Sequence, residues 1–193
     1  SVSQNPFKQL PIALESSGAQ ILWQKQSQHG LLTLVKSATG HQAPGLSVNS
    51  QYQAPAQLSL YLDGDSESPL IRQSTGVAAG LMAETLSAGA YFTIDENPDV
   101  VVAGTQSSWQ IWVASEFNAK SVTVINENPD YLNLLFDEVE AGDTFAPQGT
   151  KPILTSVRRF FQSQQRKCDL IFYSFPHQSQ GLSATEEDFS FTS

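Results

Sequence analysis

Residues 100–103, Val-Val-Val-Ala, form an unbroken apolar run that is ended by Gly104. A strand with one wet face alternates apolar and polar side chains, so a run without polar members needs cover on both faces, as in a parallel sheet. From Trp109 onward Trp109, Trp112, Val113 and Phe117 fall near one helical face,. A second apolar run, SVTVI, follows at residues 121–125. Two parallel strands cannot be joined by a hairpin; they need a crossover, usually a helix. Residues 100–129 therefore predict strand, loop, helix and strand, a βαβ unit.

Such units build the doubly wound nucleotide-binding folds, where the first turn is glycine-rich and an acid after the second strand holds ribose hydroxyls. Here the turn is Gly104-Thr105-Gln106-Ser107-Ser108 and the second strand ends in Asn126. The expected scaffold is present with few of its usual ligand-binding groups.

The 193-residue length suits one domain, or one domain with a small appendage,. A formal charge of −9 argues against binding nucleic acid through its phosphates,. Much of that charge is local, since residues 127–143 hold six acids and no base, the pattern of a solvated face and loop,. The apolar runs fall short of the roughly 20 residues that span a bilayer, and the first ten residues lack signal-peptide form. One cysteine, Cys168, excludes an internal disulfide and a multi-cysteine metal site; a buried thiol and a cytoplasmic location are the corresponding expectations,.

Residues 1–18, with Pro6, Pro11 and Gly18, read as an irregular arm,. Residues 19–73 read as a small antiparallel β unit: a hairpin turning at residues 27–30, a long loop at 41–55, then the alternating QLSLYL and a turn at Asp63-Gly64-Asp65,. A helix is expected from Ser74 or Thr75 to about Ala90. Pro129 opens a further helix with Tyr131, Leu134 and Leu135 on its apolar side. A short strand at Ile153-Leu154-Thr155, a helix containing Val157, Phe160 and Phe161, and a buried strand at residues 169–173 complete the pattern.

Taken together, several segments resemble the spermidine synthase family, above all its branch fused to membrane transporter-like regions. ILWQKQSQHGLLTLVK is similar to the family's opening hairpin. GLSVN, LYLDGD and SPLIR are similar to further blocks of the fused branch. VVVAGTQSSW stands at the strand and glycine loop, VTVINENP at the next strand, VRRFF and CDLIFYS at the later helix and strand, and GLSATEEDFSFT before the following helix. The resemblance implies a small β domain followed, over residues 74–193, by a Rossmann-like, methyltransferase-type sheet. Such a sheet has about seven strands, and this chain ends after the fourth. The expectation is a fragment of a longer chain, with a second copy covering the open edge as the alternative. A membrane-attached protein is then a candidate setting.

Active family members transfer an aminopropyl group from decarboxylated S-adenosylmethionine to putrescine. The resemblance places the cofactor at Gly104, Thr105, Gln106, Asn126 and Ser156 and the amine-deprotonating group at Ser174; an active transferase would have Asp169, Ser174 or His177 near the reacting amine, His177 because it follows the carboxyl end of the fourth strand, the edge where ligands sit. At these positions the chain departs from the family: side chains replace glycines at residues 105–108, Asn126 replaces the ribose-binding acid, Ser156 an adenine-binding acid, and Ser174 the acid that deprotonates the amine. Charge-assisted bonds contribute roughly 1.5–3 kcal/mol each, so their joint loss weakens cofactor binding by orders of magnitude. The expected function is a catalytically degenerate binding or assembly module. The alternatives are an active transferase using S-adenosylmethionine or its decarboxylated form, and a sensor that binds polyamines without reacting.

No metal is expected. His29, His41 and His177 lack ligand spacing, and Asp63 and Asp65 read as a hairpin turn. Glu186-Glu187-Asp188 and Arg158-Arg159 read as solvated groups.

Overall fold

The computed structural model describes residues 8–37, 41–105, 107–137, 144–163 and 167–174. Its elements are α1 (Gln9–Leu14), β1 (Gln20–Ser27), β2 (Gly30–Lys36), β3 (Gln57–Leu62), β4 (Asp65–Ile71), β5 (Asp99–Ala103), α2 (Trp109–Glu116), β6 (Ser121–Asn126), α3 (Pro129–Phe136), β7 (Lys151–Leu154), α4 (Val157–Ser163) and β8 (Leu170–Tyr173).

The strands form two four-stranded sheets. One is an antiparallel meander, β1-β2-β3-β4; the other is wholly parallel, in the order β7-β6-β5-β8. The unbroken apolar run thus pairs on both sides, with Val100 beside both Val122 and Leu170. Its two faces meet different partners. Val100 and Val102 join one large core with Leu34, Leu60 and Ile71 of the antiparallel sheet and Trp109 and Ile111 of α2. Val101 and Ala103 point the other way and pack with Ile125 and with Phe160 of α4.

Helix α2 lies where the two sheets meet. Besides Trp109 and Val113, Ile111 and Ala114 are also fully buried, so the single apolar face expected from spacing underestimates its cover. Helix α3 begins as its Asn-Pro-Asp sequence dictates. Asn128 is the N-cap, its side chain accepting from the N–H groups of Asp130 and Tyr131, and Pro129 supplies a first-turn position that needs no donor,.

The structure corrects four expectations. The irregular arm contains α1, whose Leu10 is fully buried against Val35 and Tyr61. Pro11 is tolerated there because first-turn N–H groups have no partner within the helix. That packing covers Tyr61 on the second face of β3, where Gln57 and Ser59 are buried too, alongside Leu58 and Leu60 of the first face. The helix expected from residue 74 or 75 does not form. Two 3-10 segments, Met82–Glu84 and Leu86–Thr93, follow a turn region in which Gly80 takes φ +85°,. Thr75 donates backwards to the carbonyl of Arg72 instead of capping forwards. Finally, β8 is half-covered, with Ile171 46% and Tyr173 45% exposed. Among the described residues no helix is long and apolar enough to cross a membrane.

Candidate functional site at the carboxyl edge of the parallel sheet

Because all four strands of the second sheet run the same way, their carboxyl ends converge on one edge. There Gly104, Asn126, Ser156 and Tyr173 line a cleft of ≈ 790 Å³, roofed by residues 26–30 of the β1–β2 turn and by Asp63. Three of the expected cofactor positions are therefore neighbours, drawn from the ends of β5, β6 and β7. The Ser174 backbone adjoins them: its N–H donates to the Ala103 carbonyl at 3.0 Å.

Gly104 is the pivot of this edge. It takes φ +70°, and a Cβ there would meet the Ser174 carbonyl oxygen at 2.6 Å. Its glycine is thus required by the approach of β8 as well as by backbone conformation, without reference to any ligand.

The loop after Gly104 is tied to the antiparallel sheet. The Ser108 hydroxyl, with Ser108 wholly buried, accepts from the Ile71 N–H at 2.8 Å. The Ser107 hydroxyl donates to the Pro69 carbonyl at 3.0 Å, and the Ser108 N–H reaches the same carbonyl at 3.2 Å. The Trp112 indole N–H donates to the Ile71 carbonyl at 3.3 Å. Strand β4 is the edge of its sheet, so these bonds satisfy backbone groups that would otherwise be buried without partners. Thr105, itself buried, accepts from the Ser107 N–H at 3.0 Å and holds the turn closed,.

Asn126 is similarly engaged. Its Nδ2 donates to the Thr105 carbonyl at 2.9 Å, and its Oδ1 accepts from the Asn128 N–H at 2.8 Å. The side chain is 8% exposed, so it acts as a link between the loop after β5 and the start of α3. Next to it, Asp130 receives Lys25 of β1 at 2.7 Å, which fixes the first hairpin over this edge. The Ser156 hydroxyl accepts from the Arg159 N–H at 3.3 Å and caps α4,.

Asp169 lies elsewhere. It precedes β8, at the amino edge of the sheet, where its carboxylate accepts from the Asp99 N–H at 2.8 Å and its own N–H donates to the Asp99 carbonyl. A strand's length of roughly 3.3 Å per residue separates it from Ser174. It pins the start of β8 and does not join the group at the carboxyl edge. His177 and Gln106 lie outside the described residues. Among the described residues, no histidine or carboxylate hydrogen-bonds the Ser174 hydroxyl.

Asp63 takes φ +54° at the turn between β3 and β4, and its carboxylate accepts from the Leu31 N–H at 2.8 Å. The turn reading fits that geometry. Among the described residues no group of three histidine, cysteine or acidic side chains is disposed to hold a metal ion. Cys168 is half-buried, and burial pushes its thiol pKa up, away from the reactive thiolate,.

The sequence places Ser107 and Ser108 in the turn where the resembled family has glycines and starts a helix at Pro129, but it assigns no partner to these serines, to Asn128 or to the Lys25–Asp130 pair; the serine bonds and the ion pair span at least 37 residues and leave no local signal. No family model matches the chain, and no curated protein matches it.

Proposed function

We propose that the second sheet is a partial, doubly wound, methyltransferase-type sheet of spermidine-synthase-like descent, and that the chain is a catalytically degenerate binding or assembly module. The strand order β7-β6-β5-β8 supports the first part, because the chain starts in the middle of the sheet, builds outward, and returns to the other side of β5,. One observation carries the second part. The loop and strand-end side chains that would meet a nucleoside are occupied within the protein: Ser107 and Ser108 by β4, and Asn126 by the Thr105 carbonyl and the Asn128 N–H. A cofactor arriving at this edge would compete with bonds that hold the two sheets together.

The test is calorimetry of the purified chain with S-adenosylmethionine, decarboxylated S-adenosylmethionine and methylthioadenosine, with spermidine and putrescine in parallel. The expected outcome is no nucleoside binding in the micromolar range. Micromolar binding of any of the three nucleosides would overturn the degenerate reading and favour a transferase. Binding of a polyamine alone would favour a non-reacting sensor.

A further inference from the structure

Away from the carboxyl-edge cleft, the α4 face of the parallel sheet holds a groove of ≈ 910 Å³, a volume typical of small-molecule sites,. Strand pairing lays out its floor. Lys151, Thr123, Val101 and Ile171 stand level on β7, β6, β5 and β8. Ile153 follows two residues along β7 on the same face, because side chains alternate along a strand. Among the described residues only α4 adds helix side chains to the core on this face, through Phe160 and Val157. Much of the apolar floor therefore stays open, with Ile171 46% and Phe161 40% exposed.

The groove is charged at one end. Lys120, directly before β6, and Lys167, three residues before β8, line it at the amino edge of the sheet, and Lys151 lines it as the first residue of β7. Two acids share this edge. Asp99 accepts from the Ser121 hydroxyl at 2.5 Å and lies 4.0 Å from Lys120, while Asp169 accepts from the Asp99 N–H at 2.8 Å. Among the described residues no acid pairs with Lys151 or Lys167. A cationic end and an apolar body, on a chain of formal charge −9, match an occupant with an anionic head and an apolar chain or ring,. A neutral apolar molecule would leave the lysines unpaired, and a small inorganic anion would leave the floor exposed. We propose that this groove binds a small amphipathic anion, its head at Lys151 and Lys167 and its apolar part over Val101, Ile171 and Phe161. The groove shares no lining residue with the carboxyl-edge cleft, so it stands whether or not a nucleoside binds there.

Cys168 lines the groove and is the chain's one cysteine, so it reports occupancy. The measurement is the rate of its modification by an uncharged dipyridyl disulfide in the full chain. The chain is titrated with decanoate or decyl phosphate below their micelle concentrations, and with decyltrimethylammonium as the cationic counterpart. Saturable slowing by at least one of the anions is expected, with half-saturation by the cation about tenfold weaker or more. Lys151→Gln with Lys167→Gln, both at exposed positions, is expected to weaken the anion about tenfold, the size expected when two exposed ion pairs are lost together,. Ile171→Thr is expected to weaken it severalfold with the lysines in place. No slowing by either anion, equal slowing by the cation, or equal half-saturation in the parent and the lysine variant would overturn the proposal. So would a rate in the ligand-free chain that falls as protein concentration rises, which would make a second copy the occupant.

Discussion

Ser108 illustrates how a polar side chain becomes obligatory once it is enclosed. Its hydroxyl is the acceptor for the Ile71 N–H, and Ser108→Ala would leave that donor buried without a partner. The expected cost is about 1–3 kcal/mol, read as a lower urea midpoint at unchanged slope. Asn126→Asp tests the neighbouring link. It replaces an amide donor by a carboxylate oxygen facing the Thr105 carbonyl at 2.9 Å, and the expected loss is again about 1–3 kcal/mol at neutral pH,. The repulsion raises the new carboxyl's pKa in the folded state above its unfolded value. The folded form then binds the proton more readily, so the penalty is full at high pH and shrinks as pH falls through that raised pKa. Urea titrations of the variant at several pH values check the sign. In the sequence Asn126 reads as a weakened ligand; its two hydrogen bonds are made to residues 105 and 128 only after the loop and helix have come together.

The loop following β5 acts as a fastener between sheets, and Gly104 sets how closely β8 approaches it. Gly104→Ala combines a left-handed backbone with a Cβ 2.6 Å from a backbone oxygen, so the strand must shift. A loss of about 3 kcal/mol or more is expected. Gly149→Ala is the control: its φ is +90°, yet nothing lies within 4 Å of the added Cβ, so only the conformational cost of about 1–2 kcal/mol applies,. Thermal unfolding of the two variants should separate them, and similar melting temperatures would count against the role of β8 packing. Most elements were legible as patterns, including the two central strands, α2 and α3. The failure at residues 74–90 has a local cause. Small residues with good spacing suggested a helix, while Gly80 adopts φ +85° with its N–H on the Glu116 carboxylate at 2.7 Å, a bond that α2 makes available.

At the scale of the molecule, the largest core runs between the sheets and holds Tyr91 and Tyr131, while Tyr61 is buried with Leu10 and Val35 beneath α1. Burial raises the pKa of Tyr131 and Tyr91, and burial together with the nearby Glu67 charge raises that of Tyr61. These phenols stay protonated in the folded chain at pH values where the unfolded chain, with an ordinary value of 10.0, has released its protons. The unfolded state then binds fewer protons, so stability is unaffected well below pH 10.0 and falls as pH rises through and beyond it,. Phenolate absorbance is expected to show these three tyrosines ionising together with unfolding. Early, independent titration of all five tyrosines would contradict their burial. The Lys25–Asp130 pair joins the first hairpin to α3 across the sheets, a contact between residues 105 positions apart that no local pattern announces.

Periodicity and propensity alone were enough to require a parallel, doubly covered strand at residues 100–103, an antiparallel unit before it, and a helix starting at Pro129, because strand cover and helix starts leave short-range marks in sequence. The folding of α1 onto β3 and the half-cover of β8 were decided only in three dimensions. So was the use made of the loop after Gly104. Serines and an asparagine are ordinary residues in a turn; they became fasteners because long-range packing brought buried backbone donors and acceptors to within hydrogen-bonding distance, where leaving them unpaired is costly,.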